Sequence, residues 1–391
     1  MISNKSFSYF YFSIVCVFGI FMLAFIPFVY GVLMRANEDL DLKDSIALQL
    51  KTDAIYNVLK LDIYRYKMEL FKSVKPQIIA LGSSRTLALR KESFSAGFLT
   101  AGSAMNHLNE GLMFLKEMVH YHKPEVILLG LDFWWFNGKF HQPNNFSGSD
   151  TKQNMQKKIN TMMSKIFKGE LSFDILRYSF GSNAVTNYKN IGINALQYSN
   201  GFRPDGSYQY ASFILGDGRN SDIAFSNTFE RIAQGNQRFE YGEMVSAERM
   251  QILYDIIDFC KQNGIKLVAF IPPLANEVIE KMESYGSKYY YIREFRERLR
   301  QLEIESYDFH DMRKYVKNSC EFFDGFHGGE VLYQRILKEI YHADSILKNY
   351  LNIKLIEETI TEFSGKTLII YDKSKFKKIQ ENDFLQLGCK K

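Results

Sequence analysis

The hydrophobic and polar positions of this chain fall into blocks with different periods. From Ser6 to Met34 no residue is charged, and Phe, Ile, Val, Leu and Met dominate. About 20 apolar residues suffice to cross a bilayer. The run is too long for a secretory signal and lacks its small-x-small cleavage site, so residues 1–35 are expected to form one transmembrane anchor, with Pro27 inside the helix. Lys5 precedes the run and Arg35 follows it, with Glu38, Asp39 and Asp41 close behind, a near balance that orients the helix poorly. Residues 36–74 carry mixed charge with spaced apolar positions (Ile46, Leu48, Leu50, Ile55, Val58, Leu59), the pattern of a helical lead-in.

Further on, short apolar runs stop abruptly. Ile78 to Leu81 ends at Gly82, Leu99 to Ala101 at Gly102, Val126 to Leu131 at the polar Asp132, and Ile265 to Ile271 at Pro272-Pro273. Such runs read as strands of a parallel sheet buried on both faces. Between them lie helical patterns: one running to about Tyr121 with Leu108, Leu112, Leu115 and Val119 on one face, then Ser246 to Gln262, Ala275 to Met282, Lys288 to Gln301, and about Gly329 to Tyr350. A shorter strand leads to Tyr307-Asp308-Phe309. Strands alternating with helices predict an α/β domain around a central parallel sheet. Residues 137–240 differ, being rich in Asn, Ser, Gly and Tyr, with a helix near Asn154 to Phe167. They read as an insertion at the sheet's active edge, where lids and grooves form. Residues 351–391 form an appendage with a β-like Thr367 to Tyr371 and a lysine-rich tail.

Composition narrows the function. With 391 residues, 46% of them hydrophobic, the chain can hold one large domain plus additions. A net charge of +5 is too mild for a nucleic-acid binder. The four cysteines, Cys16, Cys260, Cys320 and Cys389, contain no C-x-x-C pair, which removes zinc and redox motifs, while spacing leaves open a disulfide among the last three. His107, His120, His122, His141 and His310 have no metal-ligand spacing, so no metal is expected. Phe133-Trp134-Trp135-Phe136 fits core packing, the floor of a sugar groove or a seat on the membrane.

The chemistry centres on Gln77-Ile78-Ile79-Ala80-Leu81-Gly82-Ser83-Ser84-Arg85. A strand that stops at glycine leaves the next side chains at the carboxyl edge of the sheet, where α/β ligand sites form. Ser84 there suits a helix cap, or a nucleophile if an imidazole reaches it and a carboxylate fixes that imidazole. Asp324-Gly325-Phe326-His327 supplies both, the aspartate three residues before the histidine. The G-x-S-x-G elbow of α/β-hydrolases is absent around Ser84.

On these residues the chain resembles the SGNH (GDSL-like) hydrolase superfamily. It looks most like the membrane-anchored branch, which includes the alginate acetylation proteins and the D-alanine transfer protein of teichoic acid synthesis. Gly82-Ser83-Ser84 stands where that family has Gly-Asp-Ser, making Ser84 the nucleophile by resemblance. Gly102 matches the second-block glycine, whose N–H helps form the oxyanion hole; Gly130-Leu131-Asp132 matches the third block's Gly-x-Asn; Asp324 and His327 match the D-x-x-H block. Ser83 replaces the family's Asp, and Asp132 its Asn. An ionised carboxylate only accepts hydrogen bonds, so Asp132 would oppose charge on an oxyanion and leave the Ser84 and Gly102 N–H groups to hold it, unless Asp132 is protonated or another donor such as Asn106 swings in.

The resemblance implies a flavodoxin-like, three-layer domain over residues 75–350. It also implies O-acyl transfer, most simply of acetyl, to a cell-envelope polysaccharide, with Ser84 as nucleophile, His327 as base then acid, and Asp324 orienting it. The implied partners are a membrane-bound O-acyltransferase as acyl supplier and the polysaccharide acceptor, with no freely diffusing cofactor. The implied location is the cytoplasmic membrane with the domain outside the cytoplasm. An esterase removing such acyl groups uses the same residues, and a degenerate domain that binds glycan or holds an assembly together is the non-catalytic alternative.

Overall fold

The computed structural model describes residues 4–141, 155–171, 175, 190–216, 218, 220–376, 379–380 and 383–389. The chain divides into two compact units, Met1–Leu61 with Asp150–Gly201, and Asp62–Ser149 with Phe202–Lys391.

The larger unit is built on five strands: β1 (Ile78–Gly82), β2 (Phe98–Gly102), β3 (Val126–Gly130), β4 (Lys266–Ile271) and β5 (Glu305–Asp308). They form one sheet in the order β2-β1-β3-β4-β5, and every neighbouring pair is parallel. Each residue of β1, β2 and β3 is buried, so both sheet faces are covered, as their unbroken apolar runs require. The glycines at the strand ends have a steric reason. A Cβ on Gly82 or on Gly130 would lie 2.6 Å from Thr86 Cγ2. Thr86 therefore wedges between the ends of β1 and β3, while its hydroxyl donates to the Ser83 carbonyl at 3.0 Å.

Helices Leu108–Met118, Ala247–Gln262, Asn276–Glu283 and Tyr290–Arg300 lie between the strands, and Glu330–His342 follows the last strand. Ser246 caps the second of these by accepting from the Arg249 N–H. The last is shorter than its apolar pattern, ending at His342 before Asp344 turns left-handed (φ 58°) and a 3-10 turn, Ile346–Tyr350, follows. Thr367 to Tyr371 pairs with no strand among the described residues. Instead the Thr367 carbonyl accepts from Glu330 N–H at 2.7 Å, and Ile369 N–H donates to the Glu330 carboxylate at 2.9 Å. A buried side chain has taken the place of a sheet ladder. Residues 390–391 of the lysine-rich tail lie outside the described residues.

In the smaller unit, helix Asn4–Arg35 contains Pro27, and the most apolar 18-residue window of its stretch Tyr9–Arg35 has a mean hydropathy of 2.6. It is long and apolar enough to span a membrane. Tyr9 to Phe12 are exposed, whereas Val29, Val32 and Leu33 pack with Ile159 and Met162 of helix Met155–Phe167. Asn154, where that helix was expected to begin, lies outside the described residues. The lead-in is not one helix. Leu42–Thr52 stops where Asp53 turns left-handed (φ 52°), the short strand Ile55–Tyr56 follows, and Ile63–Val74, in the larger unit, starts on an Asp62 cap.

The smaller unit closes around Glu38. Its carboxylate accepts the N–H groups of Leu59 and Ile193, both at 2.9 Å, and pairs with Lys158 Nζ at 3.0 Å, with both side chains buried. Removing one partner of a buried pair leaves the other charge uncompensated. Glu38→Ala is expected to destabilise this unit by about 3–5 kcal/mol, read as earlier unfolding of the full chain in detergent followed by proteolysis within residues 36–61.

Candidate active site

Strand β1 delivers its chemistry through a tight turn. The Ser83 side chain accepts from the Arg85 N–H at 3.2 Å and caps the 3-10 turn Ser84–Ala88. The cap is thus Ser83, which leaves the Ser84 hydroxyl free for another partner. Ser84 Oγ lies 2.8 Å from His327 Nε2, and His327 Nδ1 lies 2.7 Å from Asp324 Oδ2. With its Nδ1–H facing the carboxylate, the ring presents Nε2 as acceptor for the serine hydroxyl. Asp324 Oδ1 also accepts the N–H groups of Phe326 at 2.9 Å and His327 at 2.7 Å. Burial alone would raise the Asp324 carboxyl. The His327 charge and these hydrogen bonds outweigh it and hold the group below its usual value, so it stays ionised at neutral pH.

The loop carrying both residues is gripped from three sides. Phe323 N–H donates to the His327 carbonyl at 2.8 Å, and the Gly325 carbonyl accepts from Ala275 N–H at 3.1 Å. Gly325 N–H donates to Asp222 at 2.9 Å, and Asn220 donates to the Phe323 carbonyl at 2.6 Å. Asp222 is itself fixed by the Thr228 N–H and hydroxyl, at 2.8 and 2.6 Å. Asn220 and Asp222 carry no sequence signal beyond their place in a polar stretch, so sequence reasoning passed over them.

The remaining expected residues have other engagements. Gly102 is the register partner of Gly82 at the end of β2, and its N–H donates to Thr100 Oγ1 at 3.1 Å. The Ser84 N–H donates to no acceptor among the described residues. Asn106 is held by its backbone, its N–H to Glu110 at 2.7 Å and its carbonyl to Trp135 Nε1 at 2.6 Å, and its side chain is exposed. Asp132 is buried with one oxygen 3.0 Å from the Arg85 guanidinium. Arg85 also donates to the Pro273 carbonyl and stacks over Trp134 at 5.3 Å. Burial pushes the Asp132 carboxyl up, opposed by Arg85, Ser83 and Arg238. When Asp132 is ionised, its negative charge is met by the Arg85 guanidinium. All four residues of Phe133 to Phe136 are buried, which makes that stretch core; Phe136 stacks on Phe295 at 3.7 Å and Trp134 meets Phe326 edge-on at 6.0 Å.

No protein-family model matches the chain, and comparison with curated proteins found no match.

Two predictions follow from the buried charges. Asp132→Ala is expected to cost about 3–5 kcal/mol of stability by stranding Arg85, and Arg85→Met with Asp132→Leu to recover most of it; urea unfolding of the full chain measures both. His310 sits edge-on to Phe133 at 5.4 Å, and burial, then Arg296, push its imidazole down to about 3, against Asp308. The unfolded chain takes up this proton near about 6.5, but the folded chain does not until about 3. This contribution to stability is therefore complete above about pH 6.5 and lost on acidification, by roughly 1.4 kcal/mol for each pH unit. His310→Gln should flatten that part of the urea midpoint's pH dependence.

Proposed function

We propose that this chain is a membrane-anchored O-acyltransferase of SGNH type, which moves an acyl group, most simply acetyl, to a hydroxyl of a cell-envelope polysaccharide. The observation that carries the reading is the continuous Ser84–His327–Asp324 hydrogen-bond chain at the carboxyl edge of the parallel sheet. The strand order β2-β1-β3-β4-β5 supports the flavodoxin-like architecture that the reading assumes.

Ser84 Oγ attacks the carbonyl carbon of an acyl donor as its proton passes to His327 Nε2. The tetrahedral oxyanion is met by the Ser84 N–H. The intermediate then breaks its bond to the leaving oxygen, which takes the proton from His327 and leaves acyl-Ser84. An acceptor hydroxyl next gives its proton to the same nitrogen and attacks the acyl carbon. The new ester departs as Ser84 Oγ recovers the proton. Asp324 stabilises the imidazolium in both halves. No freely diffusing cofactor enters either half. A membrane-bound O-acyltransferase is the acyl supplier on this reading.

The apolar helix Asn4–Arg35 supports membrane anchoring. A disulfide joins Cys320 to Cys389, which supports an oxidising compartment outside the cytoplasm.

A fluorophosphonate probe on the full chain in detergent tests the nucleophile. Labelling should fall at least about a hundredfold in Ser84→Ala and in His327→Ala. A chain that takes no label, or that labels equally after Ser84→Ala, overturns the proposal.

A further inference from the structure

Two guanidinium groups beside His327 lack the carboxylates that arginines so placed ordinarily have. Arg231 and Arg238 both lie over the Phe326 ring, at 5.7 and 5.4 Å, and Phe326 lies 4.3 Å from the His327 ring. Arg238 also lies over Trp134, at 5.7 Å. Neither side chain has a hydrogen-bond or ion-pair partner among the described residues, and the Arg231 Nε is buried without one. Asp132 pairs with Arg85 and Asp324 with His327, while the Glu240 carboxylate accepts the backbone N–H of Arg238 at 3.2 Å and not its guanidinium.

The arrangement is unfavourable as it stands. Desolvation and the charge of Arg231 both push the Arg238 guanidinium down, and Asp132 and Asp324 only partly offset them. The backbone is also held in an uncommon state, with Gln237 at φ 50° and Arg238 at φ 84°. Left-handed conformations in non-glycine residues carry a backbone cost and cluster at functional sites. Like charges set together on an aromatic floor, at such a backbone cost, form a receptor for an anion. Guanidinium forks match carboxylate and phosphate oxygens.

We propose that Arg231 and Arg238 form an anion-binding subsite that seats an oxyanion group, carboxylate or phosphate, carried by the acceptor glycan next to acyl-Ser84. The acceptor is thereby an acidic polymer, with its anionic group on the Phe326 side of the imidazole. This assignment rests on the transferase reading for the word acceptor, while the subsite itself rests only on the two arginines.

The test is calorimetric binding to the full chain in detergent, with glucose, glucuronate and glucose 6-phosphate as probes. At least one anionic sugar should bind ten or more times tighter than glucose, and which one it is distinguishes carboxylate from phosphate. Arg231→Gln and Arg238→Gln should each erase most of that preference, and Arg238→Lys should retain part of it. Melting temperatures separate loss of binding from loss of fold. If neither anion is preferred over glucose, or if the preference survives in both folded glutamine variants, the subsite does not exist. Anion preference with no fluorophosphonate labelling of Ser84 would keep the subsite and remove the transferase.

Discussion

A parallel sheet has one carboxyl edge, and the larger unit depends on it. All five strands run the same way, so the ends of β1, β2 and β3 come out together and place Gly82, Gly102 and Gly130 along one rim. The rim fixes Ser84 but not its partner, which lies 243 residues away along the chain. One hydrogen bond contributes about 0.5–1.5 kcal/mol net, whereas ordering each loop residue costs about 1–2 kcal/mol. The Ser84–His327 contact is therefore too weak to hold the loop, and must be held by it. The grip of Asp222, Asn220 and Ala275 on residues 323–325 supplies that hold.

The elements legible in the sequence were those encoded by composition within a few residues. The apolar helix, the buried strands and their glycine or proline stops are of this kind, since an unbroken Val, Ile and Leu run has few other uses. Ser84, Asp324 and His327 were legible as residue types in a meaningful order. Long-range polar contacts were not. Arg85 and Asp132 lie 47 residues apart, and nothing in either neighbourhood names the other. Arg238 is one charge in a polar stretch, and its left-handed backbone leaves no mark on composition. Thr367 to Tyr371 misled because β-propensity describes side chains suited to a sheet, not the presence of a neighbouring strand.

Asp132 shows how far a single buried contact can redirect a chemical argument. Sequence position alone sets an acceptor where a donor would serve, and with it a charge opposed to catalysis. With Arg85 3.0 Å away, the pair is close to neutral when viewed from Ser84, and the repulsion disappears. Its role becomes mechanical instead. Arg85 follows Ser84 directly, and its guanidinium is tied to Asp132, to the Pro273 carbonyl and to the face of Trp134. These contacts anchor the turn after β1 to the ends of β3 and β4. Buried ion pairs are weak sources of net stability, so the specific geometry they impose on this turn is the better account of the pair.

The same reasoning gives the C-terminal appendage a physical role. Thr367 donates to the Cys320 carbonyl at 3.0 Å, Gly365 N–H donates to Glu321 at 2.9 Å, and Arg335 holds the same carboxylate. The Cys320–Cys389 disulfide then fastens the end of the tail to this point. Glu321 in turn accepts through its carbonyl from Gly329 N–H at 2.7 Å, so the appendage braces both sides of the segment that contains Asp324 and His327. A disulfide closing a loop across a separation of 69 residues removes about 4 kcal/mol of unfolded-chain entropy in the loop-closure picture. That is larger than the net contribution of any one hydrogen bond in the loop. The covalent tie at Cys320 thus fixes the approach to the loop from outside the sheet, while Asp222 and Ala275 fix its tip, and the imidazole is set between the two.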